Sequence, residues 1–223
     1  MTYTGDVRAG GPTDLRVLDE IEIRKAAVGS TDNNAYLLTC RSDRSQVLVD
    51  AADEPDRLLE LVREGSSQLD LVVTTHRHAD HHRALESLVA VTGASSAAGA
   101  DDAAAVAEAT DVPVARRLHD GDVLHVGHLA LHVIALRGHT PGSIALAYVE
   151  PGGRTHLFTG DSLFPGGVGR TTSPEAFDQL YGDVVARVFD RFDDHTWVYP
   201  GHGADTTLGA ERPHLDEWRA RGW

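Results

Sequence analysis

A histidine-rich segment, Thr75-His76-Arg77-His78-Ala79-Asp80-His81-His82, follows directly on the apolar run at residues 69–74 and limits what this chain can fold into. A short apolar run of this kind reads as a buried strand. A strand that ends in imidazoles and a carboxylate would be costly to bury unless metal or hydrogen-bonding partners meet them. His76 and His78, two apart at a strand end, point the same way and can grip one ion. Asp80 and His81, where the chain begins to turn into a helix, face a neighbouring position. One segment can therefore serve two ions but complete neither shell. The fold must bring donors from distant sequence to this edge, and three stand in glycine-bearing turns: Gly138-His139-Thr140, Thr159-Gly160-Asp161 and Pro200-Gly201-His202-Gly203. Imidazole nitrogen and carboxylate oxygen suit zinc at about 2.0–2.2 Å, and the absence of cysteine from these positions argues against a structural thiolate site. Two ions with open positions can make hydroxide at neutral pH, which points to a metal-dependent hydrolase.

The rest of the chain supplies strands and helices in alternating blocks. Residues 1–20 read as irregular, broken at Gly10-Gly11-Pro12. Residues 21–28, 35–40 and 47–49 read as strands. Asp53-Glu54-Pro55 opens a helix, with Asp53 as its cap and Gly65 as its stop. Helical patterns follow at 83–91 and 101–109. Two hairpins turn at Gly127-His128 and at Pro151-Gly152-Gly153. An amphipathic helix at 174–192, a short strand at 197–199 and a helical stretch at 208–218 complete the order. The pattern gives one α/β domain over residues 1–223, two sheets face to face with helices outside, ending in a helical tail at 204–223. Trp197, Trp218 and Trp223 are expected to pack against the core or a lid.

Composition narrows the function. The 223 residues carry 34 acidic against 20 basic side chains, a net charge of −14 that disfavours nucleic acid and anionic membranes as partners and leaves a small-molecule substrate. Lys25 is the only lysine. Cys40, the only cysteine, excludes an internal disulfide and is read as a small buried side chain. With no apolar run long enough to span a bilayer and no leader-like start, cytoplasm is the expected compartment. His119, His125, His128, His132, His156, His195 and His214 lack a ligand-like setting and are read as surface or satisfied histidines. The sequence leaves the oligomeric state open.

The segment Thr75-His76-Arg77-His78-Ala79-Asp80-His81, with Gly138-His139-Thr140-Pro141-Gly142-Ser143, Phe158-Thr159-Gly160-Asp161 and Pro200-Gly201-His202-Gly203, resembles the metallo-β-lactamase fold superfamily. The resemblance implies an αββα sandwich of two mixed sheets with the site at one edge. It also implies that His76, His78 and His139 hold one ion, that Asp80, His81 and His202 hold a second, and that Asp161 bridges them beside a shared water or hydroxide. Asp80 and Asp161 are then the catalytic carboxylates, and the metals are two divalent ions, zinc first, with iron or manganese as alternatives. Gly160-Asp161-Ser162-Leu163-Phe164, Gly167-Val168-Gly169-Arg170-Thr171 and Asn33-Asn34-Ala35-Tyr36-Leu37-Leu38 are similar to the glyoxalase-II-like branch, which implies cleavage of a small thioester or ester. A lactonase on the same ligand set is one alternative. A persulfide dioxygenase with a single iron is another, because Gly167–Thr171 is similar to that branch too. Arg170 is the candidate anchor for a substrate carboxylate. Asp50, Thr75 and Thr140 are candidates for orienting the ligands by hydrogen bonds.

Overall fold

Alternation along the strands decides which layer each side chain enters. The computed structural model describes residues 2–222, so the expectation for Trp223 lies outside the described residues. The first sheet runs in chain order: β1 (Asp14–Val17), β2 (Ile21–Val28), β3 (Asn33–Cys40), β4 (Gln46–Val49), β5 (Leu71–Thr74), β6 (Ser95–Gly99) and β7 (Arg116–Leu118). Its first four strands pair antiparallel and its last four parallel. Between the parallel strands run α1 (Pro55–Gly65), α2 (Leu85–Thr92) and α3 (Ala103–Thr110).

The second sheet begins as a meander of β8 (Val123–Val126), β9 (Leu129–Ala135), β10 (Ile144–Val149) and β11 (Thr155–Gly160). A small hairpin, β12 (Leu163–Phe164) with β13 (Gly167–Val168), and the helix α4 (Pro174–Val184) follow. The chain then returns as β14 (Trp197–Pro200), parallel to β11, and β15 (Thr206–Thr207), and ends in α5 (Leu208–Glu211) and α6 (Leu215–Arg221).

Ile21, Ile23, Leu38, Val47, Val49 and Val73 point inward to meet Leu131, Val133, Leu146, Phe158 and Tyr199 between the sheets. The opposite faces are apolar as well. Leu37, Leu48 and Val72 pack on Leu58, Leu61 and Leu88, while Ala145, Leu157 and Val198 pack on Leu180, Val184 and Trp218. Strands buried on both faces lose the polar alternation of a half-exposed sheet, and the result is the expected αββα sandwich of two mixed sheets.

Phe158 is fully buried between the sheets, stacked on Tyr199 at 4.6 Å and edge-on to Tyr36 at 5.4 Å. Phe158→Ala should cost about 3–5 kcal/mol in urea denaturation, from lost transfer energy plus the cavity left behind.

Several expectations need correction. Residues 1–20 contain β1, paired with β2 through Asp14↔Lys25 to Val17↔Glu22. The tail is not helical throughout, since β15 adds an edge strand to the second sheet. Glu54, not Asp53, occupies the cap of α1, in a left-handed conformation with φ 48°. Its carboxylate accepts Gly29 N–H, while Asp53 pairs with Arg83. Strands β6 and β7 carry weak strand signals, because Ser95-Ser96-Ala97-Ala98-Gly99 offers no β-branched or aromatic residue. Helix α4 stops at Val184 and continues as a wider π turn over Val185–Phe189.

Candidate metal centre

The ends of β5, β11 and β14 and the loop after β9 meet at one edge of the sandwich. There they bring together all seven side chains singled out as candidate ligands. Three groups form. His76, His78 and His139 make the first, Asp80, His81 and His202 the second, and His76, His81 and Asp161 lie between; within each group the donor atoms lie within 4.8 Å of one another. His76 and His81 are buried at the floor, Asp80, His139, Asp161 and His202 are half-buried, and His78 is exposed at the mouth. Gly160 permits this closure: it adopts φ 49°, and a Cβ there would lie 2.4 Å from Thr75 Oγ1.

Hydrogen bonds on the far side of each ring fix which nitrogen faces inward. His139 Nδ1 donates to Arg170 O at 2.6 Å, His202 Nδ1 to Thr31 O at 3.1 Å and His81 Nδ1 to Asp50 Oδ2 at 2.8 Å. Thr75 Oγ1 gives its own proton to Asp50 Oδ2 and so accepts from His76 Nδ1. Each of these four rings therefore presents Nε2 to the site, a tautomer choice set by its outer partner. His139 Nε2 lies 3.3 Å from His76 Nε2, which lies 3.1 Å from His78 Nδ1. The inward lone pairs of His76 and His139 repel at this distance unless a proton or a metal ion stands between them. Asp161 Oδ1 is buried without a hydrogen-bond partner, 3.4 Å from His81 Nε2. Its Oδ2 lies 3.7 Å from His139 Nε2 and 3.6 Å from His202 Nε2, so this carboxylate reaches both outer groups. The donor set fits two divalent ions.

Protonation follows the same logic. Burial, then the imidazoles of His81 and His139, holds His76 well below the usual histidine range. Burial and His139 lower His78 as well. Burial alone would lower His81, but Asp50 and Asp161 on either side push it up to about 10, so a metal must displace a proton there. Burial opposes ionisation of Asp80, yet the Asn33 amide and His81 hold it below its ordinary value. Asp161 is lowered against the same opposition, by His81 first and then His202.

The candidates for orienting roles divide. Asp50 accepts Thr75 N–H, Thr75 Oγ1 and His81 Nδ1, and Thr75 lies directly behind His76. Thr140 instead bonds Asp102 and Ser143 rather than any of the seven side chains. The Arg170 carbonyl braces His139, and the residue lines a cavity of about 350 Å³ with Phe177 and Arg221. His82 is buried and donates from Nε2 to Arg77 O, closing the loop that carries the cluster. His156 is buried but satisfied between Tyr199 and Glu150; the other six histidines set aside are exposed.

Two important residues escaped the sequence reading. Asn33 Nδ2 donates to Asp80 Oδ2 at 3.0 Å and lies 3.3 Å from His202 Nε2. Asp102 is fully buried and accepts Arg77 N–H, Gly142 N–H and the Thr140 hydroxyl, tying the His76–His78 loop to the His139 loop.

Comparisons with known proteins place the chain among relatives of one family. The hydroxyacylglutathione hydrolase of Rhodobacter capsulatus is 40% identical over 153 residues, covering 67% of this chain and 56% of that protein. Hydroxyacylglutathione hydrolase GloC of Haemophilus influenzae is 26% identical over 185 residues, covering 76% of this chain and 85% of that protein. The chain spans only 51–65% of the length of five other similar curated relatives, the Rhodobacter protein included. Among solved structures, ETHE1 from Myxococcus xanthus superimposes with a TM-score of 0.74 at 29% identity, covering 89% of this chain and 84% of that one. TTHA1623, solved in a di-iron-bound form, gives a TM-score of 0.66 at 31% identity, covering 84% of this chain and 96% of that one. The model of the metallo-beta-lactamase superfamily matches residues 28–202, from the end of β2 through the last of the seven side chains, and the chain belongs to that superfamily.

Proposed function

We propose that this chain is a metal-dependent hydrolase that cleaves a small thioester or ester, in the manner of the glyoxalase-II-like branch. His76, His78 and His139 would hold one divalent ion, Asp80, His81 and His202 a second, and Asp161 both. The observation that carries this reading is the inward convergence of four Nε2 atoms around the Asp161 carboxylate, one oxygen of which is buried without a hydrogen-bond partner. When bound, such a pair of ions supplies a hydroxide at neutral pH and polarises the carbonyl it attacks. Zinc is the first choice, because the donors are imidazole and carboxylate. The di-iron form of TTHA1623 and the similarity to hydroxyacylglutathione hydrolases support a two-ion site and thioester chemistry respectively.

The protein's own contribution is orientation. Asp50 fixes the His81 ring, Asn33 turns Asp80 toward His202, and the Arg170 carbonyl holds His139 with Nε2 inward. Asp50→Asn should weaken binding of the ion at His81 by about ten- to hundredfold in a competitive zinc titration, as expected for a partner that sets a ligand's tautomer.

A second reading, an oxygen-consuming persulfide dioxygenase with one iron near His76, His78, His139 and Asp161, draws weight from the likeness to ETHE1. The completeness of the Asp80, His81 and His202 group favours hydrolysis. Turnover separates them. Zinc-loaded and iron-loaded protein are given a thioester, a lactone and glutathione persulfide. Thioester cleavage by the zinc form without oxygen uptake is expected. Oxygen uptake with persulfide, confined to the iron form and without thioester cleavage, would replace the hydrolase reading.

A further inference from the structure

Lys25 is the only lysine of the chain, and its side chain is 0% exposed. It stands on β2, and its ammonium meets an acceptor with each of its three protons: Gly5 O at 2.7 Å, Gly203 O at 2.8 Å and Asp205 Oδ1 at 2.7 Å. Three freely turning donors on a compact head suit acceptors arriving from three directions, which the planar fork of arginine does not. Asp205 spends its other oxygen on Tyr3 Oη at 2.6 Å and Trp197 Nε1 at 2.9 Å. Thr4 N and Gly5 N are tied in turn to Asp14 Oδ2, each at 2.8 Å.

What this hub holds is the turn that carries His202. Gly203, the next residue, gives its carbonyl to Lys25 and to Asn34 Nδ2. At the other end of the turn, Pro200 gives its carbonyl to Asn34 Nδ2 and Tyr36 Oη. His202 sits between these anchors with Nδ1 on Thr31 O. Removing Lys25 would leave that end of the turn held by Asn34 alone, whereas the His76, His78 and His139 group shares none of these bonds.

We propose that Lys25, with Asp205 and the segment at Tyr3–Gly5, is a positioning device for the His202 end of the metal centre, so that retention of the second ion depends on docking of the N-terminal segment. The proposal rests on the two-ion reading above. Coupling between sites is reciprocal: if Lys25 supports the second ion, that ion must in turn keep Lys25 buried.

Two measurements on the full chain test this. In the first, Lys25→Met with Asp205→Asn removes the charge pair while keeping an amide for Tyr3 and Trp197. Zinc affinities are measured against a competing chelator. One ion should bind as in the wild type and the other ten- to hundredfold more weakly. Unchanged affinities, or equal weakening of both, would overturn the proposal. A wild-type chain that binds one ion sinks the two-ion reading itself, and is recognised before any variant is made.

The second needs no variant. Acylation of the Lys25 amine, followed by peptide mass spectrometry, is compared with alkylation of Cys40, a buried thiol whose reaction reports general unfolding. Stripping zinc should speed Lys25 acylation at least tenfold relative to Cys40. A parallel change in both, or no change, would contradict the proposal.

Discussion

Replacing Asp161 with alanine should lower turnover by about a thousandfold or more, a loss of about 4 kcal/mol of transition-state stabilisation. It should also lower metal content while leaving the fold intact. Asp161 alone among the seven candidates combines an unpartnered buried oxygen with reach into both outer groups: 3.4 Å to His81, 3.7 Å to His139 and 3.6 Å to His202. Each outer group keeps its own imidazoles without it, so single ions can still bind weakly. On the proposed two-ion reading, what disappears is the group that would hold the two together. The side chain lies just beyond β11 and outside the inter-sheet core, so circular dichroism of the metal-free variant should match the wild type. Steady-state kinetics and metal analysis on one preparation check the prediction; undiminished turnover would remove the bridging role.

Asp102→Ala should act by a different route, on stability and on the group formed by His76, His78 and His139 together. Its carboxylate is fully buried and satisfies Arg77 N–H, Gly142 N–H and the Thr140 hydroxyl. Alanine leaves the buried Gly142 N–H without an acceptor, the Thr140 hydroxyl with Ser143 Oγ alone and the part-buried Arg77 N–H facing solvent. At about 1–3 kcal/mol for a buried group left unsatisfied, the metal-free chain should lose about 1–3 kcal/mol. Asp102→Asn keeps one good acceptor and should lose less. Because Asp102 joins the loop of His76 and His78 to that of His139, zinc affinity should fall as well. Urea denaturation of the metal-free variants, with zinc titrations alongside, reads both effects.

Much of this was legible in the sequence, for identifiable reasons. The ligand candidates announce themselves because histidines at a strand end and histidine or aspartate in glycine turns have few competing explanations. The layering follows from strands such as β4 and β5, apolar on both faces. What stayed hidden depends on contacts across long separations. Asp102 reads as an ordinary residue at a helix start, yet its side chain caps nothing in α3 and crosses to loops 25 and 38–40 residues away. Asn33 and Asn34 form a polar pair opening an apolar strand, and buried amides require partners, but nothing in sequence names Asp80 or Pro200 as those partners. Thr140 sits beside a candidate ligand and looks like an orienting group, whereas its hydroxyl faces Asp102. Strand β6 is hidden by its small residues, which let Gly99 approach Gly142 so closely that a Cβ would lie 2.0 Å from the Gly142 carbonyl oxygen.

Anomalous diffraction at the zinc edge, on crystals of the zinc-loaded chain, tests the pairing of the ions most directly. Two peaks about 3.5–4 Å apart are expected, one against His76, His78 and His139, the other against Asp80, His81 and His202, with the Asp161 carboxylate touching both. A single peak confined to one group, or peaks away from these side chains, would contradict it.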